Sequence, residues 1–146
     1  MPKFKLLHTG ENQALVNETY KKIDGYIAEL FHEDEVIQID DMYSFSFGTV
    51  TVNILVRPWH SEDVLVDVFS YLAEDVSLSK AQLDELLRMN ATIPFGSFGL
   101  SVDNSVKFSY TLAGKNLDKN EFSAAVQNIA AIADQYDEQF EIIATE

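Results

Sequence analysis

The sequence contains no cysteine and few basic residues, and each shortage excludes a class of protein. Without cysteine, neither a disulfide framework nor a thiolate metal site can form. Ten Lys and Arg residues stand against 24 Asp and Glu residues, so the formal net charge is −14. Binding to nucleic acid depends on clustered cations that displace phosphate counterions, and anionic membrane surfaces attract cations in the same way. We therefore expect a protein that binds neither nucleic acid nor a membrane.

Long apolar runs are also missing. No stretch approaches the roughly 20 apolar residues that span a bilayer, and the N-terminus has no apolar signal segment. These absences predict a cytoplasmic protein. The 146 residues are 47% hydrophobic, contain no evident linker or repeat, and have a length typical of one domain. The sequence therefore predicts a single domain over residues 1–146.

The motifs of common active sites are absent as well. His8, His32 and His60 are widely spaced, and no His-x-x-x-His pattern or glycine-rich phosphate-binding loop occurs. Paired carboxylates such as Asp40-Asp41 are expected to be solvated in so acidic a chain, since only burial moves a carboxyl pKa into a catalytic range. We predict no catalytic residue, no metal site and no cofactor, and expect that the protein is not an enzyme.

A period of 3.6 residues predicts three helices. The first covers Glu11–Phe31, and the second opens at a capping box formed by Ser79 and Gln82. The third opens at a similar box formed by Asp118 and Glu121. Its apolar stripe comprises Phe122, Val126, Ile129, Ile132 or Ala133, Tyr136, Phe140 and Ile143. Its polar face is expected to carry Asp134, Asp137, Glu138 and Glu141.

Period-two alternation predicts five strands, over residues 43–47, 50–56, 64–72, 98–102 and 106–112. Gly48 and Thr49 are expected to form a tight turn between the first two strands. Pro58 is expected to end the second strand because it cannot donate to a ladder, which leaves residues 59–63 as a loop. The order α-β-β-β-α-β-β-α predicts an α+β fold, with helices covering one face of a single antiparallel sheet.

The uncovered sheet face is the first candidate binding surface. Leu55, Leu65, Phe69 and Tyr71 have the strand parity that points away from the covered face, and contiguous exposed apolar surface often marks an interface. The alternative is that a helix covers this face too. Trp59 is a second candidate, as an anchor residue of the kind enriched at interaction hot spots, unless it folds back onto the sheet rim. An unpaired sheet edge is a third, because it can accept a partner's strand.

Four segments resemble a known group of proteins. They are the hairpin over residues 43–56, the helix-to-strand passage over residues 86–100, the helix opening at residues 117–122, and residues 133–137. Together with the order of elements, they resemble the type III secretion chaperones and the related YbjN-like domain, described as a bacterial sensory transduction regulator. The resemblance implies a cytoplasmic homodimer that holds an unfolded protein segment in apolar grooves without ATP.

Two hypotheses of different class follow. The first is a non-enzymatic, chaperone-like module that holds a protein or peptide client in the bacterial cytoplasm. The second is a sensory or regulatory adaptor that binds a signalling protein or a small ligand in a pocket lined by Phe and Tyr. In the first case the uncovered sheet face serves either as the dimer interface or as the client site, and the sequence leaves both open. An enzyme would instead require a polar cleft with a buried, shifted carboxylate or histidine.

Overall fold

The computed structural model describes residues 3–4 and 10–145, with side chains through Gln139. Its elements follow the order α-β-β-β-β-α-β-β-α. They are α1 (Gln13–Leu30), β1 (Val36–Ile39), β2 (Met42–Phe47), β3 (Val50–His60), β4 (Asp63–Ala73), α2 (Lys80–Asn90), β5 (Ser97–Leu100), β6 (Val106–Ala113) and α3 (Lys119–Thr145).

The strands form one antiparallel sheet in the order β1-β2-β3-β4-β6-β5. The α+β prediction is confirmed, but the prediction of five strands is wrong because β1 makes a sixth. β1 was not predicted because it is short and shows no alternation of buried and exposed residues. Only Val36 packs on the core, while Ile37 and Ile39 are exposed. Asp40 closes the β1–β2 hairpin with a φ of 55°, a left-handed conformation that Asp tolerates better than most residues.

Pro58 does not end β3, and this prediction is wrong. The strand continues to His60, with Pro58 opposite Val64, and the register shifts between Pro58 and His60. Such an irregularity accommodates the missing proline N–H, because a bulge removes the need for a ladder bond. The predicted loop over residues 59–63 is therefore also wrong, since only Ser61 and Glu62 form the turn.

Helix α2 begins as predicted, but the strand that follows it, β5, ends earlier than predicted. The capping box of α2 is present, with Gln82 N donating to Ser79 Oγ and Ser79 N donating to Gln82 Oε1. The side chain of Asn90 bonds both the N–H and the carbonyl of Phe98, which fixes α2 against β5. The predicted strand over residues 98–102 is wrong at its C-terminal end. β5 stops at Leu100, and Val102 lies outside it, fully exposed.

Helices α1 and α3 cover one face of the sheet, as predicted, while α2 packs against β5. The inward positions of the central strands are closed to solvent because their side chains meet the apolar stripe of α3. The predicted stripe is confirmed for the side chains that the structure describes. Two of its predicted members, Phe140 and Ile143, lie outside the described side chains. The fully enclosed core side chains include Ile23, Val52, Ile54, Val66, Val68, Phe108, Phe122 and Ile129.

The start of α3 follows the prediction, but one of the residues expected on its polar face does not. The Asp118–Glu121 box is present, with Glu121 N 2.8 Å from Asp118 Oδ1 and Asp118 N 3.3 Å from Glu121 Oε1. Asp137 was expected on the polar face, and this is wrong. It is buried because its carboxylate accepts a hydrogen bond from Thr49 at the β2–β3 turn, while Glu141 lies outside the described side chains.

Polar side chains fix α1 across the sheet. Tyr20 Oη lies 3.2 Å from the carbonyl oxygen of Val56, and Tyr26 Oη lies 2.9 Å from that of Leu117. Lys22 Nζ donates to the carbonyl of Gly114 at 2.9 Å. These bonds connect the helix to β3 and to the β6–α3 loop. They fix the position of α1 on the sheet, and with it the position of its C-terminal end.

Candidate functional site

The outward face of the sheet carries the predicted binding residues, but as separated side chains. Leu55 and Leu65 are half-buried, Phe69 is only 9% exposed, and Tyr71 is 45% exposed. In the register, Leu55 lies opposite Asp67 and Leu65 lies opposite Arg57, so charged residues separate the apolar ones. Of the described helices, α1 and α3 lie on the other face.

Polar contacts cross this outward face. Arg57 forms an ion pair with Asp67, and the bond to Asp67 raises the pKa of the Arg57 guanidinium. Thr111 Oγ1 donates to the same carboxylate at 2.7 Å. Lys107 Nζ lies 5.1 Å from the centroid of the Phe69 ring, a cation–π distance that helps to shield the ring. The face is therefore a mixed surface rather than a continuous apolar patch.

Trp59 lies at the tip of the β3–β4 hairpin, apart from the other predicted residues. Its side chain is 53% exposed, and its ring centroid is 4.5 Å from that of His60. It contacts the His60 ring in a tilted arrangement, with 52° between the ring planes, and presents its remaining surface to solvent.

A groove between α1, β2 and α3 offers more connected apolar surface. This apolar groove has a volume of about 410 Å³. None of its lining side chains is ionisable. The rings of Phe31 and Phe45 lie with their centroids 4.7 Å apart, and Phe47 and Leu30 remain 45% and 38% exposed. The groove is lined by Leu30, Phe31, Phe45, Phe47, Ser123, Val126, Gln127, Ala130 and Ala131.

Helix ends and small side chains create the apolar groove. α1 stops at Leu30, and Phe31 follows in an extended conformation. Across the gap, α3 presents Ala130 and Ala131, which leave the space open. The groove is not predictable from strand and helix periods, because these do not show where a gap opens between two helices. The adjacent alanines, at positions where larger apolar residues would have filled the gap, were the available signal.

A polar latch holds the β2–β3 turn against α3 beside the apolar groove. Thr49 N lies 3.0 Å from Asp134 Oδ1, and Thr49 Oγ1 lies 2.8 Å from Asp137 Oδ2. Gly48 has a φ of 55°, and a Cβ there would collide with the Asp134 carboxylate. The latch therefore sets the position of Phe47, the residue just before the turn.

A second groove lies on the opposite side of Phe31, between α1 and the β1–β2 hairpin, with a volume of about 340 Å³. Asp24 and Glu33 place carboxylates on its lining. Tyr43 Oη donates to Asp24 within it, and burial followed by this bond raises the pKa of Tyr43. These carboxylates lie close to the apolar groove, since Phe31 lines both grooves. The two grooves together therefore suit a partner that combines apolar and basic side chains.

A separate apolar surface lies at the far edge of the sheet. We call Leu83, Leu87, Leu100 and Val102 the α2–β5 patch. Leu87 is 69% exposed and Leu100 is 48% exposed, while Leu83 and Leu100 line one shallow cleft. Exposed leucines on a helix and its neighbouring strand are typical of surface that a partner covers.

The described part of the chain contains no metal centre. No three His, Cys, Asp or Glu side chains converge within it. His60 Nδ1 accepts a hydrogen bond from Glu62 N at 3.1 Å, His32 is exposed, and His8 lies outside the described residues. Nor does any described helix have the length and apolarity required to cross a membrane.

Comparisons with known proteins identify one family by sequence. Residues 17–142 match the family described as "TY-Chap1: T3SS (YopN, CesT) and YbjN peptide-binding chaperone 1". A chain in the crystal structure of the ExsC–ExsE complex superposes with a TM-score of 0.60 at 18% identity, covering 86% of this chain and 96% of that chain. An uncharacterized protein from Methanothermobacter thermautotrophicus gives a TM-score of 0.49 at 15% identity, covering 84% and 99%. No curated protein matched the chain.

Proposed function

Because this chain belongs to the TY-Chap1 family of T3SS and YbjN peptide-binding chaperones, we propose that it holds a segment of a partner protein in the apolar groove. The observation that carries the proposal is the groove itself. Its volume of about 410 Å³ falls within the roughly 300–1,000 Å³ typical of small-molecule sites, which is enough room for a few apolar side chains of a peptide. The described lining has no charged side chain, so apolar side chains of a peptide gain free energy by leaving water there.

The charges around the groove favour a segment with basic flanks. Asp24 and Glu33 border the neighbouring groove across Phe31, and Asp134 holds the turn beside Phe47. The formal charge of −14 adds a long-range attraction for cations. We therefore expect binding to weaken as salt screens these charges.

We propose that the protein acts by binding alone and is not an enzyme. General acid–base or nucleophilic chemistry requires an ionisable or nucleophilic group placed at a cleft. Among the described residues, Ser123 is the only hydroxyl on the apolar groove, and no described histidine or carboxylate lines that groove to activate it. We also propose that it works in the cytoplasm, where its acidic charge favours solubility.

We propose that the protein is a homodimer that buries the α2–β5 patch. An isologous interface repeats one surface on both subunits, and exposed leucines such as Leu87 can then pack against each other. Light scattering should give twice the 16.5 kDa chain mass. Leu87→Asp combined with Val102→Asp should return a folded monomer. If Leu55→Asp combined with Phe69→Asp separates the subunits instead, the outward sheet face is the interface.

We propose two secondary partner contacts. One is the outward sheet face at Leu55, Leu65, Phe69 and Tyr71, and the other is Trp59 at the tip of the β3–β4 hairpin. Tyr71 and Trp59 provide most of the exposed aromatic surface of these contacts, at 45% and 53%. If neither Tyr71→Ala nor Trp59→Ala weakens partner binding by as much as twofold, these contacts are absent.

Site-specific photocrosslinking tests the groove. A benzophenone amino acid at Ala131, which lines the groove, should capture a partner segment in cells of the source organism. The same amino acid at Gln135, one turn further along α3 and exposed, is the matched control and should capture much less. Mass spectrometry should recover one recurring segment, apolar with basic flanks, from Ala131 alone.

Blocking the groove gives the complementary result. Ala131→Trp should abolish capture of that segment from a reporter position at Gln127, whereas Gln135→Trp should not. Equal capture from Ala131 and Gln135 would contradict the proposal. If no protein is captured but an apolar small molecule raises the melting temperature of wild type and not of Ala131→Trp, the regulatory-adaptor hypothesis replaces it.

A further inference from the structure

We propose that the outer edge of β6, at residues 110–113, is a second docking site that pairs with an extended, basic segment of a partner protein. We call these four residues the β6 edge. The site deepens the proposed function, on which it rests, by adding a strand-pairing surface and a charge preference. It is separate from the apolar groove.

The β6 edge is open because β5 leaves the sheet early. Pairing between the two strands begins at Ser97, which lies opposite Ser109, so among the described residues no strand covers Tyr110 or those after it. Gly96 turns the chain away with a φ of 88°, and a Cβ there would lie 2.9 Å from the Phe108 ring. Asn128 Nδ2 then holds the carbonyl of Phe95 against α3 at 2.8 Å.

The register shows which backbone groups face outward. Gly114 N donates to the carbonyl of Val64 at 2.8 Å, so in the Gly114–Val64 pair the backbone of residue 114 bonds toward β4. In an antiparallel ladder such pairs alternate, so Leu112 also bonds toward β4. The N–H and carbonyl groups of Thr111 and Ala113 therefore point to the open side, and both residues are exposed. They offer two donors and two acceptors to an added strand.

The β6 edge lacks the usual protections against strand pairing. Edges are commonly shielded by charged side chains, proline or a bulge. Residues 110–113 contain no charged residue and no proline, and their register with β4 is regular. The opposite edge of the sheet differs, since acidic residues 33–35 and 40–41 flank β1.

A cleft beneath the edge can take one side chain of the added strand. It has a volume of about 220 Å³ and lies between the edge and the start of α3. Phe95 forms one wall, 53% exposed, with its ring edge-on to Tyr110 at 5.7 Å between centroids. An inward-pointing apolar residue of the partner would fill this cleft. It is lined by Phe95, Tyr110, Leu112, Glu121, Ala124 and Ala125.

Charge selects a basic partner. Asp63 and Glu121 line a neighbouring, more polar cleft along the same edge, together with Thr111 and Asn116. An added strand would pass these two carboxylates, which favour Lys or Arg on either side of its apolar residue. A second copy of this chain, with a net charge of −14, would meet repulsion there. The occupant is therefore a basic segment of another protein.

The test uses a synthetic pentapeptide, capped at both ends, with a central leucine between two valines and a lysine on each side of that trio. It is titrated into the full protein, and amide exchange is followed by NMR. We expect slower exchange at Thr111 and Ala113 and a Kd that rises at least fivefold between 50 and 300 mM salt. A peptide with glutamates in place of lysines should bind at least tenfold more weakly, as should one N-methylated at alternate residues.

Variants locate the site. Ala113→Pro removes only an outward N–H and should leave the fold intact while weakening peptide binding about tenfold. If that variant fails to fold, Phe95→Ala, which truncates an exposed wall of the cleft, should weaken binding at least threefold. Ala131→Trp should leave this binding unchanged, so failure of the groove proposal and failure of this one are distinguishable.

Four outcomes overturn the inference. Binding that slows exchange at Ile37 and Ile39 instead would place the strand on β1. Equal affinity for the lysine and glutamate peptides would remove the basic preference. Loss of peptide binding in Ala131→Trp, or no binding at millimolar peptide, would show that the β6 edge is not a docking site.

Discussion

Tyr43 links the stability of the fold to alkaline pH. Its side chain is 4% exposed, and its hydroxyl donates to the carboxylate of Asp24 on α1. Burial and then this carboxylate raise the pKa of Tyr43 above the value of about 10 expected in an unfolded chain. A raised pKa in the folded state adds stability that is complete below the unfolded pKa and is lost as pH rises toward the folded one.

The magnitude follows from two terms of opposite sign. At pH 8, Tyr43→Phe removes one hydrogen bond to an exposed carboxylate, so the free energy of unfolding should fall by about 1 kcal/mol. At pH 11 the unfolded wild-type chain has released the tyrosine proton, which lowers wild-type stability by about 1.4 kcal/mol through this residue alone. The Phe variant has no such loss. It should therefore be less stable than wild type at pH 8 and at least as stable at pH 11.

Urea denaturation followed by circular dichroism at pH 8, 9, 10 and 11 measures this crossing. Tyr71→Phe is the matched control, because that ring is exposed on the opposite face of the sheet. The control should keep the same offset from wild type at each pH. A constant difference between wild type and Tyr43→Phe from pH 8 to 11 would refute the linkage argument.

Further changes test the helix, the loop contacts and the latch. Gly25→Ala should raise the free energy of unfolding by about 0.5–1 kcal/mol in urea, because Gly25 lies within α1 and a Cβ there meets nothing within 4 Å. Gly114→Ala should lower it by about 1–3 kcal/mol in the same assay, because the new Cβ would lie 2.7 Å from Val64 Cγ2. Asp118→Ala should cost about 1 kcal/mol by removing the α3 cap, measured as a lower urea midpoint. Thr49→Val should reduce photocrosslinking from Ala131 at least threefold, since it breaks the side-chain half of the latch that positions Phe47.

Local patterns predicted the elements whose determinants are close in sequence. The Asp118 cap and the stripe from Phe122 to Ala133 define α3, because helix period and capping are set within a few residues. The β2–β3 hairpin around Gly48 followed from alternation and a turn. The resemblance to type III secretion chaperones and the YbjN-like domain is likewise confirmed, by the family match over residues 17–142.

Features that depend on neighbours distant in sequence were not predicted. Alternation placed Leu55 and Leu65 on the outward face, but it carries no register, so it did not show that Asp67 and Arg57 lie directly opposite them. Proline normally ends a ladder, and only the shift in register at Pro58 shows how β3 continues. In both cases the missing information was the pairing between strands, which a single-strand pattern does not contain.

Small residues on α3 connect its packing with its proposed use. The large residues of its stripe, such as Phe122 and Ile129, already anchor the helix on the sheet. On one side of that stripe Ala130 borders the apolar groove, and on the other Ala125 borders the cleft at the β6 edge. The helix is therefore anchored on the sheet and still leaves space along both of its flanks. Side chains of a partner can enter from either side, at the groove or at the β6 edge.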